Sequence, residues 1–260
     1  MNSFYERIDK IENIDILSSE ICKEYNLGEF INTTVIETGY EDFNAILETM
    51  VGKYFVKVFT NSRDDKEVKE VIDRINVPVM NNIPAPKIYK NSQNNLLSIL
   101  KIGNSRFRVA LMEYIDGQNF FELQQKPTDE ELSQIVDIAT RLSKIDYKPQ
   151  FIYDSWAITG FCLEFEKKRD YLDNEYIGLL EPIYEKVKQI DYELLPKAYV
   201  HGDMMSTNIM KDAKGKLWVI DFSVSNYTTR LNEIAVICHD LALVDGNKEE
   251  SERRIKYAFE

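Results

Sequence analysis

The sequence predicts an α+β protein of two lobes, a β-rich first lobe with one helix over a mostly helical second lobe. Three observations predict it. Runs of β-branched and aromatic residues separated by turns fill the stretch from residue 31 to 115, interrupted once by a helical pattern. An Asp116-Gly117 break follows, and beyond it apolar residues recur at helical spacing. At 260 residues the chain can form one large domain or two small ones. The boundary is a shift in composition rather than a flexible linker. It divides 1–114 from 115–260, with a cleft between the lobes as the natural arrangement.

Taken in order, "INTTVIETG" is a strand ending at Gly39. "NAILETM", a turn at Val51-Gly52-Lys53 and "YFVKVFT" form a hairpin. In its second strand Tyr54, Val56 and Val58 share one face, and Phe55, Lys57 and Phe59 the other. Lys57 is either an edge lysine extending past apolar neighbours or a lysine held in a cleft with an anionic partner. "SRDDKEVKEVIDRINVPV" is a helix with Ser62 as a possible cap, acids in its first turn and a stripe of Val68, Val71, Ile72 and Ile75. Pro78 marks its end. "LLSILKI" and "RFRVALMEYI" are further strands.

Beyond the break, Thr128 and Glu131 have the spacing of a capping box, ahead of a stripe of Leu132, Ile135, Val136, Ala139 and Leu142. "FCLEFEKKRDYL" and "IGLLEPIYEKVKQI" are core-packing helices, "AYV" is a short strand, and "LNEIAVICHDLAL" and "EESERRIKYAF" are helical.

A formal net charge of -12 argues against a partner with a phosphate backbone and against an anionic membrane surface. The three cysteines, Cys22, Cys162 and Cys238, are far apart and form no CxxC pair, so reduced thiols of a cytoplasmic protein are expected. The N-terminal stretch lacks the continuous apolar core of a signal peptide, and no apolar run approaches 18 residues.

The chemistry concentrates in "HGDMMSTNIMKDAKGKLWVIDFS", residues 201 to 223. Asp203 precedes Asn208 by five positions, and Asn208 precedes Asp221 by thirteen. Two apolar runs joined by Asp212-Ala213-Lys214-Gly215 read as a tight hairpin that brings Asn208 close to Asp221. Asp221 follows "LWVI", a buried strand in pattern, so its carboxylate is expected to be paired or metal-bound. Hard cations such as Mg²⁺ favour oxygen ligands of this kind, with one or two carboxylates completed by phosphates.

The set His201, Gly202, Asp203, Asn208 and Asp221 resembles the aminoglycoside phosphotransferase and choline kinase family, which shares the protein-kinase fold. "KYFVKVF" is similar to that family's nucleotide-lysine strand, "LMEYIDG" to its hinge and "TGYEDFNAIL" to its phosphate loop. The resemblance implies a protein-kinase-like fold and phosphoryl transfer from ATP, or GTP, with Mg²⁺. It implies Asp203 as the group that orients and deprotonates an acceptor hydroxyl, with His201 supporting the loop from behind. Asn208 and Asp221 would hold the metal. Lys57 would contact the phosphates and pair with a helix glutamate, either Glu70, better placed relative to "IPAP", or Glu67, in better phase with the apolar stripe. Gly39 and Asn44 would belong to the phosphate loop, and Glu113 and Tyr114 to the hinge. Phosphoryl transfer needs positioning and charge neutralisation more than covalent chemistry, which suits such a set.

The loop near Gly39 has one glycine, so phosphates are expected to be covered loosely. Asp221 lies twelve positions before Glu233, too few for a protein-kinase activation segment, which favours a small-molecule acceptor. "IDFSVSNYTTRLNEIAVI" resembles the homoserine-kinase-like branch. An acceptor carrying an amine is expected, such as an aminoglycoside, an amino alcohol or a hydroxy amino acid. The acids Glu164, Glu166, Asp170, Asp173 and Glu175 could attract it, or could form a solvated helix face. The alternative reading is a nucleotide-binding pseudokinase acting as a regulatory module.

Overall fold

The computed structural model describes residues 7–9, 11, 13–37 and 42–259. The chain divides into two compact units, Met1–Asp116 and Gly117–Glu260.

The first unit is built on a five-stranded antiparallel sheet of β1 (Phe30–Ile36), β2 (Phe43–Thr49), β3 (Gly52–Val58), β4 (Ser98–Ile102) and β5 (Ser105–Glu113), in spatial order β1-β2-β3-β5-β4. Alternation along β2 sends Phe43, Ala45 and Leu47 into one core with Val56 and Val58 of β3. The opposite face carries Asn44 directly across from Lys57, and Lys57 in turn lies across from Ala110 of β5.

Helix α1 (Ile14–Tyr25) closes that core with Leu17, Ile21, Cys22 and Tyr25. Each fully buried Leu or Ile of this kind contributes about 1.5–3 kcal/mol. The sequence pattern above assigns no element to this stretch. The helix is nevertheless marked by apolar residues at 14, 17, 21 and 25, and by Asn13, whose side chain accepts the Asp15 N–H.

Helix α2 (Asp65–Met80) is capped by Asp64, not Ser62. Asp64 Oδ1 accepts the Glu67 N–H at 2.8 Å, and Glu67 Oε2 accepts the Asp64 N–H at 2.7 Å. The reciprocal box needs an acceptor three residues before the glutamate, and Asp64 has that spacing. Pro78 sits inside the last turn, and the helix runs two residues past it.

The second unit contains β6 (Gly117–Asn119), α3 (Asp129–Leu142), α4 (Phe161–Lys168), α5 (Asn174–Val187), β7 (Lys197–Val200), β8 (Ile209–Asp212), β9 (Leu217–Val219), β10 (Asn226–Thr229), α6 (Arg230–Ile237) and α7 (Lys248–Phe259). The capping box of α3 is formed by Thr128 and Glu131 as the sequence predicts. Its buried stripe is Leu132, Ile135, Ile138, Ala139 and Leu142. The expected hairpin β8–β9 gains β6 as a third strand, and β7 pairs with β10. The β7–β10 pair flanks the segment from His201 to Asp221, and β8 and β9 lie within it.

Gly117 is where β6 meets β8 most closely. A Cβ there would lie 2.5 Å from the Lys211 carbonyl oxygen, a backbone atom that cannot swing away. Gly117→Ala is therefore expected to destabilise the chain by roughly 1–3 kcal/mol through overpacking. Chemical denaturation of the two proteins would measure it.

Candidate active site

The segment after β7 begins with a buried imidazole. His201 Nδ1 accepts the Asp203 N–H at 3.2 Å, and Nε2 lies 2.9 Å from the Ile220 carbonyl oxygen. A backbone N–H can only donate and a carbonyl can only accept, so the proton sits on Nε2 and the ring is neutral. Burial holds it there, pushing its pKa from 6.5 down to about 4. The ring packs edge-on against Phe222 at a centroid distance of 4.6 Å. His201 is thus a brace between the ends of the motif.

Gly202 follows with φ +86°, a conformation that favours glycine. Its N–H donates to Glu233 Oε2 at 2.9 Å. Glu233, on α6, is 3% exposed, and its Oε1 has no hydrogen-bond partner among the described residues. Burial raises its pKa from 4.5 to about 7 despite the backbone N–H groups it accepts. Sequence spacing alone assigns Glu233 no role in the site. The available signal was a lone acid inside the apolar helical pattern "LNEIAVI".

Asp203 is fixed by Asn208, whose Nδ2 donates to the Asp203 carbonyl at 2.8 Å and to Oδ2 at 2.7 Å. Spending both amide hydrogens on Asp203 leaves Asn208 Oδ1 as the oxygen available to a cation. The Asp203 carboxyl is raised from 3.8 to about 6. Burial is the main cause, with the negative charges of Asp221, Asp154 and Asp240 adding to it and the Asn208 hydrogen bond opposing it. Asp240 itself accepts the Ser206 N–H and so ties the middle of the loop to the turn that follows α6.

The hairpin brings Asn208 beside the residue preceding Asp221, as Ile220 N–H donates to the Asn208 carbonyl at 3.0 Å. Asp221 is not the buried strand-end carboxylate that the pattern suggests. Strand β9 stops at Val219, and the chain turns at Asp221 with φ +60°, leaving that residue exposed. Its Oδ1 accepts the Ser223 hydroxyl at 2.8 Å. Among the described residues, no group of three or more His, Cys, Asp or Glu side chains could hold a metal ion. One carboxylate and one amide oxygen fit a hard cation that fills its remaining positions with phosphate oxygens and water.

In the first unit, Lys57 Nζ lies 3.3 Å from Asp42 Oδ2. Glu67 is not its partner, because the exposed Glu67 carboxylate closes the cap of α2. Glu70 lies 3.9 Å from Arg74 on its own helix. Asn44 Oδ1, across from Lys57, is buried without a hydrogen-bond partner among the described residues. Glu113, at the end of β5, accepts the Lys87 N–H with its carboxylate, and Tyr114 follows it half-buried. Gly39 lies outside the described residues.

The acids expected to attract a cation are largely occupied. Glu164 binds Lys168, Tyr153 and Lys167, which together hold its pKa at about 2. Glu166 accepts the Tyr184 hydroxyl, and Asp173 caps α5. The acids whose charge acts on Asp203 are Asp221, Asp154 and Asp240.

The loop thus gathers a fixed carboxylate, an amide oxygen and a second carboxylate near a neutral imidazole. Residues 32–256 match the phosphotransferase enzyme family, and the chain belongs to that family. It is 23% identical to a homoserine kinase of Methylobacillus flagellatus over 84% of this chain and 66% of that protein. It is 22% identical to a homoserine kinase of Methylobacillus glycogenes over 87% and 69%. The chain thus spans about two thirds of the length of these relatives. Among solved structures it is similar to spectinomycin phosphotransferase bound to ADP and spectinomycin, with a TM-score of 0.69 at 15% identity over 96% of this chain and 79% of that one. A choline kinase of Streptococcus pneumoniae superposes with a TM-score of 0.59 at 14% identity over 94% and 79%. These likenesses establish the kinase-like fold.

The raised Asp203 carboxyl has a consequence for stability. The unfolded chain ionises this group near 3.8, and the folded chain near 6. Its contribution is therefore full below the lower value and is lost as pH rises through the upper one. Asp203→Asn keeps an acceptor for Asn208 and removes the charge. It should stabilise the metal-free protein by roughly 1–3 kcal/mol at pH 8, with the gain shrinking below about pH 6. Denaturation curves at pH 8 and 5.5 would test both the size and the sign.

Proposed function

We propose that this protein is a small-molecule kinase, transferring the γ-phosphate of ATP (or GTP) to a hydroxyl of an amine-bearing acceptor. The observation that carries the reading is Asp203, locked by Asn208 and raised to about 6 among further acids. A carboxylate of that strength accepts a proton more readily than an ordinary aspartate, yet stays mostly ionised at neutral pH. In this reading Asp203 orients the acceptor hydroxyl and takes its proton. His201 stays neutral and keeps the loop in place, while Glu233 holds the turn at Gly202.

Asn208 Oδ1 and the Asp221 carboxylate would hold Mg²⁺, which supplies charge neutralisation for the phosphates when bound. Lys57 and Asn44 would meet the phosphates, with Glu113 and Tyr114 in the hinge. The presence of the whole set supports an enzyme over a silent nucleotide-binding module.

Support for an amine on the acceptor is electrostatic. Asp154, Asp221 and Asp240 all act on Asp203, and such a concentration of negative charge favours a cationic group nearby. Homoserine kinases, a choline kinase and an aminopropanol kinase are among the similar proteins. No helix of the described residues is long and apolar enough to cross a membrane, and Cys22, Cys162 and Cys238 are free thiols. Both fit a cytoplasmic kinase.

The test is ATP consumption with Mg²⁺ over matched panels of amino-bearing, neutral and anionic alcohols. Turnover confined to the amino-bearing panel is expected, and activity confined to neutral sugars would refute the acceptor class. In the same assay Asp203→Asn should lower turnover by roughly 10²–10⁴-fold while leaving nucleotide affinity intact. A loss of only a few-fold would remove Asp203 from the role of base.

A further inference from the structure

Helix α6 runs into one wide turn, Cys238–Ala242, closed by the Leu243 N–H on the Cys238 carbonyl at 3.1 Å. A helix leaves its last carbonyls without partners of its own. Here three successive ones are met by cationic side chains, the sign that a helix C-terminus favours. Lys126 Nζ donates to the Asp240 carbonyl at 2.5 Å. Arg254, on α7, donates to the Leu241 carbonyl through Nη2 at 3.1 Å and to the Ala242 carbonyl through Nε at 3.2 Å. Leu241 and Ala242 are completely buried, where an unmet carbonyl carries its full desolvation penalty.

Arg254 is itself buried, and its other contacts run to the start of α3. Nη2 donates to the Pro127 carbonyl at 2.7 Å, and Nη1 to Asp129 Oδ1 at 3.4 Å. Three positions earlier, and so on the same helix face, Ser251 Oγ accepts the Val244 N–H at 2.9 Å. Helix α7 therefore grips residues 241, 242 and 244. Arg253 is a contrast: it is half-exposed, and its hydrogen bonds go to Asp129 and Glu250. The turn held by Arg254 carries Asp240, whose carboxylate accepts the Ser206 N–H. The Ser206 carbonyl accepts the Phe121 N–H at 3.2 Å. Ser206 lies between Asp203 and Asn208, whose side chains meet at 2.7 Å. An aspartate has a short side chain, so the path of the turn decides where the Asp240 carboxylate points.

We infer that Arg254 is a positioning residue for the loop that carries Asp203. It holds the Leu241 and Ala242 carbonyls, the held turn aims Asp240 at Ser206, and Ser206 sets the path of the loop between Asp203 and Asn208. Arg254 acts only through Asp240. A displacement of about 1 Å at a reacting group costs up to about 10²-fold in rate, so a slack turn would reach the chemistry. The bearing on catalysis rests on the reading of Asp203 as the base. The link from Arg254 to Ser206 does not, and it can be measured by itself.

The experiment is hydrogen–deuterium exchange of the whole chain, resolved to the Ser206 amide, alongside ATP consumption with Mg²⁺ and the amino-bearing alcohols. Arg254→Met should speed Ser206 exchange by about 5–50-fold while the amides of α5 keep their rates. Asp240→Ala should also speed it, and the double variant should exchange no faster than Asp240→Ala alone, because both break one link. Arg253→Met should leave Ser206 unchanged. In the turnover arm Arg254→Met should lower kcat by about 3–30-fold with the KM for MgATP unaltered. Unchanged Ser206 exchange in Arg254→Met, or effects that multiply in the double variant, would overturn the inference. Faster exchange with kcat unchanged would remove the positioning role. Should Arg254→Met speed every amide alike, Arg254→Lys decides by the same criteria, since it keeps the charge and loses the fork that spans the carbonyls. The expected exchange pattern with no turnover in any protein, the parent chain included, would count against the kinase reading and leave the link standing.

Discussion

The candidate active site depends on one neutral imidazole. His201 joins the Asp203 N–H to the Ile220 carbonyl, two groups that would otherwise be left without these partners in the interior. An unmet buried backbone group costs about 1–3 kcal/mol, more than the net gain from an ordinary hydrogen bond. The imidazole serves both because it offers one acceptor and one donor in a fixed plane, which requires it to stay uncharged. Burial enforces that condition. The positions of Asp203 and Asp221, eighteen residues apart, are therefore coupled through a ring that takes no proton at neutral pH.

Around this brace, negative charge accumulates. Glu233 grips the Gly202 N–H from behind, Asp240 grips Ser206, and Asp154 and Asp221 raise Asp203 further. Each acid has a local hydrogen-bonding task, yet the charges of Asp221, Asp154 and Asp240 disfavour the ionised form of Asp203, and that of Asp203 disfavours the ionised form of Glu233. A chain selected for stability alone would dilute them. Perturbed groups concentrated in one loop are the physical mark of a functional site. The same crowding would be relieved by a divalent cation.

The first unit solves its charge problem differently. Lys57 and Asp42 are both buried, and both belong to a hairpin whose register is set by apolar alternation on the other face. Phe43, Ala45, Val56 and Val58 cannot slip by one residue without leaving the core, so the ion pair on the reverse side is held by packing. Helix α1 secures that packing with Leu17 and Ile21.

The sequence by itself determined whatever is local. The spacing of His201, Asp203, Asn208 and Asp221, the face of β3 that bears Lys57 and the Thr128–Glu131 cap follow from neighbouring residues and from strand or helix period, and all are legible without a fold. Tertiary structure decided which charges meet. Glu233 finds Gly202 from 31 positions away, and Asp240 finds Ser206 from 34. Asp42 reaches Lys57 because register places it on the diagonal. Asp221 turns outward at a positive φ that hydrophobic pattern cannot anticipate. The partner of a buried charge is chosen by desolvation and by long-range proximity, and neither quantity is a property of sequence spacing.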